Sequence, residues 1–303
     1  MAVIECLMRS AQYGVALCVS CVVLGLASCV RVDGSTSSGA QLAAFDGAWQ
    51  ADGVLCGTGN SELFRIQIQD GAVALSRIDV QGSIAASSGV VVGEVTYIAG
   101  LDRAENRVSN VFQGPREGPF VRTDMYVRSK FIQAVGGSIV AVRGDAIIRC
   151  NEDPRAIGGV VKAREERVID SRRRILAYGK AIWASTYAGE VVQIDSESGD
   201  GSVYADDEYS SSTLLRVDDR YLVQGNTHRV VFRNRDSGVI SKSVVCPGSP
   251  VGVLQASSLN DGRVKYFVIV KYDTMKGCDI IDSDTGDFVR KWECTPVNVI
   301  QYP

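Results

Sequence analysis

Two stretches of the chain decide the fold: residues 236–246, DSGVISKSVVC, and residues 284–294, DTGDFVRKWEC. Each begins with Asp, passes through Ser or Thr to Gly, and enters a strand-like run that leads to a proline and another apolar segment. Residues 193–199, QIDSESG, form an earlier copy, and weaker copies lie upstream. The copies recur about every 40 to 48 residues, a period typical of the four-stranded blades of a β-propeller.

The repeated turn has a simple physical explanation. An Asp side chain can accept hydrogen bonds from the backbone of the turn, and Gly can adopt the positive φ that the turn needs. The strand that follows is more polar, as expected at the exposed edge of a blade. We therefore assign a structural role in the turns to Asp195, Gly199, Asp236, Gly238, Asp284, Thr285 and Gly286.

The rest of the body indicates an all-β fold. From Phe45 onward, short β-branched runs are separated by Gly, Asp, Asn and Ser, without a convincing amphipathic helix. We predict a β-propeller over residues 45–303, with the apolar tail at 297–301 completing blade one and closing the ring. Six blades are favoured, with boundaries near 45–82, 83–128, 129–168, 169–207, 208–246 and 247–294. Seven or eight blades, a pair of β-sandwiches and a solenoid are the alternatives.

The N-terminus reads as a lipoprotein signal peptide over residues 1–28. Residues 14–28 carry no charge and are fewer than the roughly 20 residues that a membrane span needs. They end in Leu26-Ala27-Ser28-Cys29, which resembles the bacterial lipobox. That resemblance implies cleavage before Cys29 and a lipid on its thiol. A secretory signal or a short transmembrane anchor is the alternative.

The residues around this signal bear on processing and location. Arg9 is the only basic residue ahead of the apolar run, which leaves both Met1 and Met8 as candidate start residues. Residues 29–44 are rich in Ser, Gly and Thr after the cysteine, and they predict a flexible tether. Val30, rather than Asp, follows the cysteine. By resemblance to the sorting rule of enteric bacteria, this favours the outer membrane, facing the periplasm, over the inner membrane.

The turns resemble those of the PQQ-like (quinoprotein-like) propeller repeats, with Asp284-Thr285-Gly286 followed by Trp292 as the best copy. The enzymes of that family resemble eight-bladed rings with a tryptophan in nearly every blade, and many have a vicinal cysteine pair. This chain has three tryptophans and no Cys-Cys pair. The order of lipobox, tether and propeller is instead similar to the BamB-type lipoproteins of the outer-membrane β-barrel assembly machinery. Those proteins are longer and have eight blades.

The resemblance implies a non-catalytic scaffold that holds no cofactor and binds a protein partner in the envelope. Affinity would come from loop side chains on one face or from a strand added to a blade edge. The alternative is a ligand-binding or enzymatic propeller with its site in the central channel. A channel with several convergent charged groups would favour chemistry, whereas small and apolar side chains would favour a scaffold.

The sequence contains few candidates for catalysis. A single histidine, His228, excludes sites that need two imidazoles, and we expect it in a surface turn of blade five. The acidic runs at 195–200 and 282–287 have oxygen ligands at alternate positions, as calcium sites do, but both coincide with repeat turns. We expect neither a metal nor catalytic residues. The net charge of −3 gives no reason to expect nucleic acid as a partner.

Two further groups of residues leave alternatives open. The first is a basic cluster that is either a solvated linker or a contact for an acidic partner or lipid headgroups: Arg172, Arg173 and Arg174. The second is a set of cysteines that form disulfides after export or act as apolar core residues: Cys56, Cys150, Cys246, Cys278 and Cys294. Their odd number implies that at least one has no partner within the chain body.

Overall fold

The computed structural model describes most of the chain from Trp49 to Gln301. The segments outside the description are 1–48, 58–62, 70–71, 82–83, 103–108, 128–130, 144–145, 151–156, 163–168, 171–172, 207–211, 273–276, 287, 293–295 and 302–303. The predicted signal peptide, lipobox, lipidation site at Cys29 and tether lie outside the described residues and stay predictions. No helix in the described part is long and apolar enough to cross a membrane.

All regular structure in the described part is β-strand, as predicted. The strands are β1 (Trp49–Gly57), β2 (Leu63–Gln69), β3 (Ala72–Ile78), β4 (Ile84–Val92), β5 (Val95–Asp102), β6 (Ser109–Gly114), β7 (Val121–Val127), β8 (Ile132–Val135), β9 (Ser138–Arg143), β10 (Ala146–Cys150), β11 (Ile157–Lys162), β12 (Leu176–Tyr178), β13 (Ala181–Ser185), β14 (Glu190–Asp195), β15 (Gly201–Asp206), β16 (Thr213–Val217), β17 (Tyr221–Asn226), β18 (Arg229–Asn234), β19 (Ile240–Val245), β20 (Ser249–Ser258), β21 (Val264–Lys271), β22 (Cys278–Asp282), β23 (Phe288–Trp292) and β24 (Pro296–Gln301).

These strands pair into antiparallel blades of four. Blade 1 has the order β24–β1–β2–β3, and blades 2 to 6 are β4–β7, β8–β11, β12–β15, β16–β19 and β20–β23. The innermost strands β24, β4, β8, β12, β16 and β20 contact one another in that order, and β20 contacts β24. The described residues therefore form a closed, six-bladed β-propeller, which confirms the favoured blade number.

The last strand closes the ring, as the sequence predicts. In β24, Gln301 is opposite Gly53 and Ile300 is opposite Val54 of β1. Two other innermost strands have glycine where β24 packs against them. A Cβ on Gly252 would lie 2.3 Å from Cγ2 of Val299, and a Cβ on Gly89 would lie 2.2 Å from Cδ1 of Ile300. These glycines are needed because any larger residue would occupy the space of the closing strand.

The hydrophobic core lies between neighbouring blades, in six clusters of the described residues. Between blades 5 and 6, for example, Phe232 packs against Tyr266 with the rings in a T-shaped arrangement and their centroids 5.5 Å apart. Since a fully buried aromatic or aliphatic side chain contributes about 1.5–3 kcal/mol, each interface adds to holding the ring together.

Two of the cysteines are core residues with free thiols, Cys56 and Cys246. Burial raises the pKa of Cys56 to about 12 and that of Cys246 to about 11, so both stay protonated. Cys278 is also buried. The side chains of Cys150 and Cys294 lie outside the description. For Cys56 and Cys246, the core interpretation is therefore confirmed over the disulfide one.

The glycines of the repeat turns have the predicted conformation. Gly199, Gly238 and Gly286 have φ values of 75°, 69° and 76°. Asp195 also has its predicted role, because its Oδ1 accepts hydrogen bonds from the backbone N–H groups of Glu197 (2.9 Å) and Ser198 (2.7 Å).

The predicted capping residue is wrong in the two later turns. In blade 5, Oδ1 of Asn234 accepts the bonds from the turn, including the N–H of Ser237 at 2.9 Å, while Asp236 pairs with Arg235. In blade 6, Oδ1 of Asp282 accepts the N–H of Asp284 at 2.8 Å. The capping position is thus the last residue of the strand, two residues before Asp236 and Asp284. The sequence alone favoured Asp236 and Asp284 because each is a second polar residue inside its turn.

Candidate functional site

The central channel opens at the face where the innermost strands end, which we call the channel-mouth face. A cavity of about 710 Å³ lies there, lined by residues from all six innermost strands. Its apolar lining is mostly Ala, Val, Leu and Gly. Its charged and amide side chains are Gln50, Asp52, Arg116, Gln133, Arg216, Gln255 and Gln301.

Arg216 organises one side of the channel mouth. Its Nε donates to Oδ2 of Asp218 at 2.8 Å, and its two terminal nitrogens donate to the side-chain oxygens of Gln301 and Gln255. Gln301 also accepts the backbone N–H of Gln255 at 2.8 Å and donates to the backbone oxygen of Gln255 at 2.7 Å. The side chain of Gln301 therefore continues the pairing of the closing strand and connects it to blades 5 and 6.

Asp218 is ionised in this network. Its burial raises its pKa, but the hydrogen bond and charge of Arg216, with the backbone N–H groups of Tyr221 and Arg220, together hold the pKa below the usual 3.8. The side chain of Asp218 is 6% exposed and that of Arg216 is 15% exposed. The charges of this pair are thus largely satisfied by each other.

A second ion pair lies across the channel mouth in blade 1. Arg65 forms two hydrogen bonds to Asp52, with distances of 2.7 and 3.1 Å, and a third to Glu117 of the β6–β7 turn at 3.1 Å. Such bidentate pairs fix the orientation of both planar groups. Through Arg65, Asp52 is part of a structural contact that joins blade 1 to the β6–β7 turn of blade 2.

The opposite end of the channel contains a buried arginine, Arg174. Both of its terminal nitrogens donate to the backbone oxygen of Val251, at 3.2 Å. Burial lowers the pKa of Arg174 to about 10, which the nearby Cys56 partly offsets. Arg173 has a different role, since it donates to the backbone oxygen of Ser212 at 2.7 Å and pairs with Asp170 at 3.3 Å.

These positions bear on the predicted basic contact. Arg174 is 5% exposed and crosses the channel from blade 4 to blade 6, so a partner on the outer surface would not reach its guanidinium. Arg173 is partly exposed, and Arg172 lies outside the description. The prediction of a partner contact at this cluster stays a prediction. His228 is exposed in the β17–β18 turn, as expected.

The channel mouth is chemically suited to hydrogen bonding. Arg216 and Asp52 each form an ion pair that stabilises the fold, and most of the other polar side chains are amides. Amides donate and accept hydrogen bonds but do not ionise near neutral pH. Within the described ranges, no group of three His, Cys, Asp or Glu side chains could hold a metal ion.

The channel-mouth face also carries most of the exposed apolar side chains of the described part. Five of the eight large ones lie on it, in or beside its hairpins: Val121, Tyr178, Val239, Ile240 and Leu259. Tyr187 and Val245 lie at the opposite face, and Val203 lies on an outer strand. Exposed apolar side chains that gather on one face are a feature of surfaces that bind other proteins.

Sequence reasoning missed every residue of the channel mouth. Arg216, Gln255 and Gln301 come from three separate innermost strands, and none belongs to a motif. One feature of the sequence pointed to them: all three residues lie in the first strand of a repeat or in the closing strand. Aligning the repeats from their turns would have placed these side chains beside the channel.

Comparisons with known proteins agree with the fold. No protein-family model and no curated protein sequence matches the chain. A putative 6-phosphogluconolactonase from Bacteroides fragilis is similar in structure, with 11% identity, coverage of 84% of this chain and 98% of that chain, and a TM-score of 0.50.

Two further solved structures are similar at lower scores. Apo AztD from Citrobacter koseri has 11% identity, coverage of 84% and 98%, and a TM-score of 0.42. The WD40 β-propeller domain of Doa1 has 9% identity, coverage of 82% and 74%, and a TM-score of 0.40. At these identities the likeness concerns the fold alone.

Proposed function

We propose that the protein is a lipid-anchored lipoprotein of the bacterial envelope that binds a protein partner through the channel-mouth face, without catalysis. The observation that carries the proposal is the concentration of exposed apolar side chains on that face, around a cavity rich in amides. Exposed apolar side chains supply contact area, and amides supply hydrogen bonds that fix orientation. The opposite face has fewer of both among the described residues.

The anchor and location of this proposal come from the sequence. The lipobox ending at Cys29 supports lipidation, and Val30 supports the outer membrane. A single acyl chain binds a membrane only marginally, whereas two or three chains anchor a protein firmly. The order of anchor, tether and propeller supports a partner in the outer-membrane β-barrel assembly machinery. A tethered propeller could reach such a partner without crossing the membrane itself.

A small ligand in the channel is the second candidate function. The cavity volume of about 710 Å³ lies within the ~300–1,000 Å³ typical of ligand pockets. Four glutamines line it. Because an amide has both a donor and an acceptor, it can bind polar ligands that accept or donate hydrogen bonds. Because Arg216 and Asp52 are paired within the fold, this channel favours binding over acid–base chemistry.

The proposal is tested by a pull-down from detergent-solubilised envelopes. Wild type is compared with Cys29→Ala, with the channel-mouth variant Tyr178→Ser/Leu259→Ser, and with a matched control at the opposite face, Tyr187→Ser/Val245→Ser. We expect wild type and the control to recover a component of the β-barrel assembly machinery. The channel-mouth variant should lose it, and Cys29→Ala should recover less.

Other outcomes separate the parts of the proposal. Absence of labelled fatty acid on the wild-type protein would overturn the anchor. Equal recovery by the two double variants would overturn the choice of face. Normal lipidation without any recovered partner would leave the small ligand as the remaining function, to be sought with purified protein.

A further inference from the structure

A second cavity lies on the same face, in the cleft between blades 4 and 5. Its volume is about 660 Å³, and it shares the exposed Tyr178 with the channel mouth. Blade 4 provides the floor, and the β18–β19 turn of blade 5, with Arg235 and Asp236, provides one wall. The ring of Tyr178 is at the lip, with the guanidinium of Arg235 stacked 4.9 Å from its centroid.

Three polar side chains form a row across the floor of this cleft. Trp183 pairs with Gln193, and Gln193 pairs with Ser202, in the registers of β13, β14 and β15. Because the three lie side by side on neighbouring strands, they share one face of the blade. Trp183 is 2% exposed, and its buried indole N–H has no hydrogen-bond partner in the described part of the chain.

The same row is occupied differently in blade 5. Counting from the capping residues Asp195 and Asn234, the equivalents of Trp183, Gln193 and Ser202 are Val223, Phe232 and Lys242. Phe232 is fully buried, and the ammonium of Lys242 lies 4.4 Å from the centroid of its ring. That row closes the interface with blade 6.

Blade 6 follows the apolar pattern as well. Counting from Asp282, the residue equivalent to Gln193 is Ile280, which is fully buried, and the residue equivalent to Trp183 is Ile269. Blade 4 therefore departs from blades 5 and 6 by placing an amide and a hydroxyl where those blades have apolar or long side chains. The cleft exists because this row does not fill it.

The lining of the cleft carries two cations, Lys180 and Arg235, and three carboxylates, Asp195, Asp200 and Asp236. Lys180 pairs with Glu197 at 3.1 Å, and Arg235 pairs with Asp236 at 3.2 Å. The carboxylate of Asp195 accepts two backbone N–H groups of its own turn. The excess of carboxylates offers little attraction to an anion, and both cations and Asp195 are already engaged. Within the described part of the chain, the free amide and hydroxyl of Gln193 and Ser202 suit a neutral ligand with many donors and acceptors.

We propose that the cleft between blades 4 and 5 binds a neutral saccharide, with Gln193 and Ser202 donating to and accepting from its hydroxyl groups. A sugar hydroxyl both donates and accepts, so it can pair with either end of an amide and with a serine hydroxyl. The ring of Tyr178 at the lip gives the apolar face of a sugar a surface to contact. The cleft shares Tyr178 with the proposed partner surface, so its ligand is sought with purified protein, without the lipid anchor or a partner.

The test is a titration of the purified full chain with two neutral probes, tetra-N-acetylglucosamine and cellotetraose. Heat and tryptophan fluorescence are followed together, since Trp183 lines the cleft. The variant Gln193→Leu/Ser202→Ala removes the polar floor. A second variant, Gln193→Phe/Ser202→Lys, places the blade 5 residues at two of the three positions of the row and fills the cleft.

We expect saturable binding of at least one probe, weakened at least tenfold in both variants. The control Gln69→Leu/Ser241→Ala changes an exposed amide and an exposed hydroxyl in blades 1 and 5, and it should bind as wild type does. Thermal unfolding of every variant shows that it is folded. No saturable signal with either probe up to millimolar concentration would overturn the proposal, and so would undiminished binding by a folded filling variant.

Discussion

Ring closure is sensitive to a single methyl group on Gly252. In Gly252→Ala the new Cβ would lie 2.3 Å from Cγ2 and 2.6 Å from Cβ of Val299, well inside the 3.4 Å at which ordinary contact begins. A rotamer change cannot relieve the second clash, because Cβ is fixed to the backbone, so β24 must move. Overpacking of this kind costs about 1–3 kcal/mol. With a typical urea m-value of 1–3 kcal/mol/M, the unfolding midpoint should fall by roughly 1 M.

The assay is urea unfolding of the purified protein, with carboxypeptidase digestion as a second readout of a displaced β24. The double variant Gly252→Ala/Val299→Gly removes both clashing atoms. Its loss of stability should be smaller than the sum of the two single losses by about 0.5–3 kcal/mol. An unchanged midpoint for Gly252→Ala, or strictly additive losses, would show that β24 does not pack against Gly252 in this way.

Three further predictions concern single side chains. Asp218→Asn should lower the free energy of unfolding at pH 7. The difference should shrink as the pH falls below 3.8 toward the lower pKa of the folded state, as measured by urea midpoints at pH 7 and pH 3. The thiols of Cys56 and Cys246 should resist alkylation at pH 8 until urea unfolds the ring, as site-resolved mass spectrometry would show. Asn234→Ala should cost about 1 kcal/mol by removing the turn hydrogen bonds, whereas Asp236→Ala should cost less, and equal losses would return the capping role to Asp236.

The sequence was sufficient for the architecture because blades 4, 5 and 6 repeat one turn. The positive φ of Gly199, Gly238 and Gly286 follows from local geometry that any chain must satisfy. The apolar tail was recognisable as the missing inner strand because blade 1 had only three strands of its own. The capping residues were misplaced in two turns, since a carboxylate inside the turn looks the same in sequence as an Asp or Asn at the strand end.

The sites could not be predicted in the same way. The channel lining combines side chains from distant strands, and local irregularities decide which side chains face inward. A register shift between Leu214 and Arg216, for example, breaks the alternation that would have assigned Arg216 to a face. The cleft of blade 4 exists because the side chains of Trp183, Gln193 and Ser202 leave space between blades 4 and 5. This is apparent only when the three residues are compared with their equivalents in blades 5 and 6.

The pairing of β24 with β1 has a consequence for biosynthesis. The ribosome makes β1 first among the described strands and β24 last, so blade 1 stays incomplete until translation reaches residue 301. A product of premature termination anywhere upstream would lack Gln301, and with it the contacts that Arg216 and Gln255 make to the final strand. The channel-mouth face would then report on the integrity of the chain through residue 301, and chains that stop earlier would be left with an open seam that proteases can recognise.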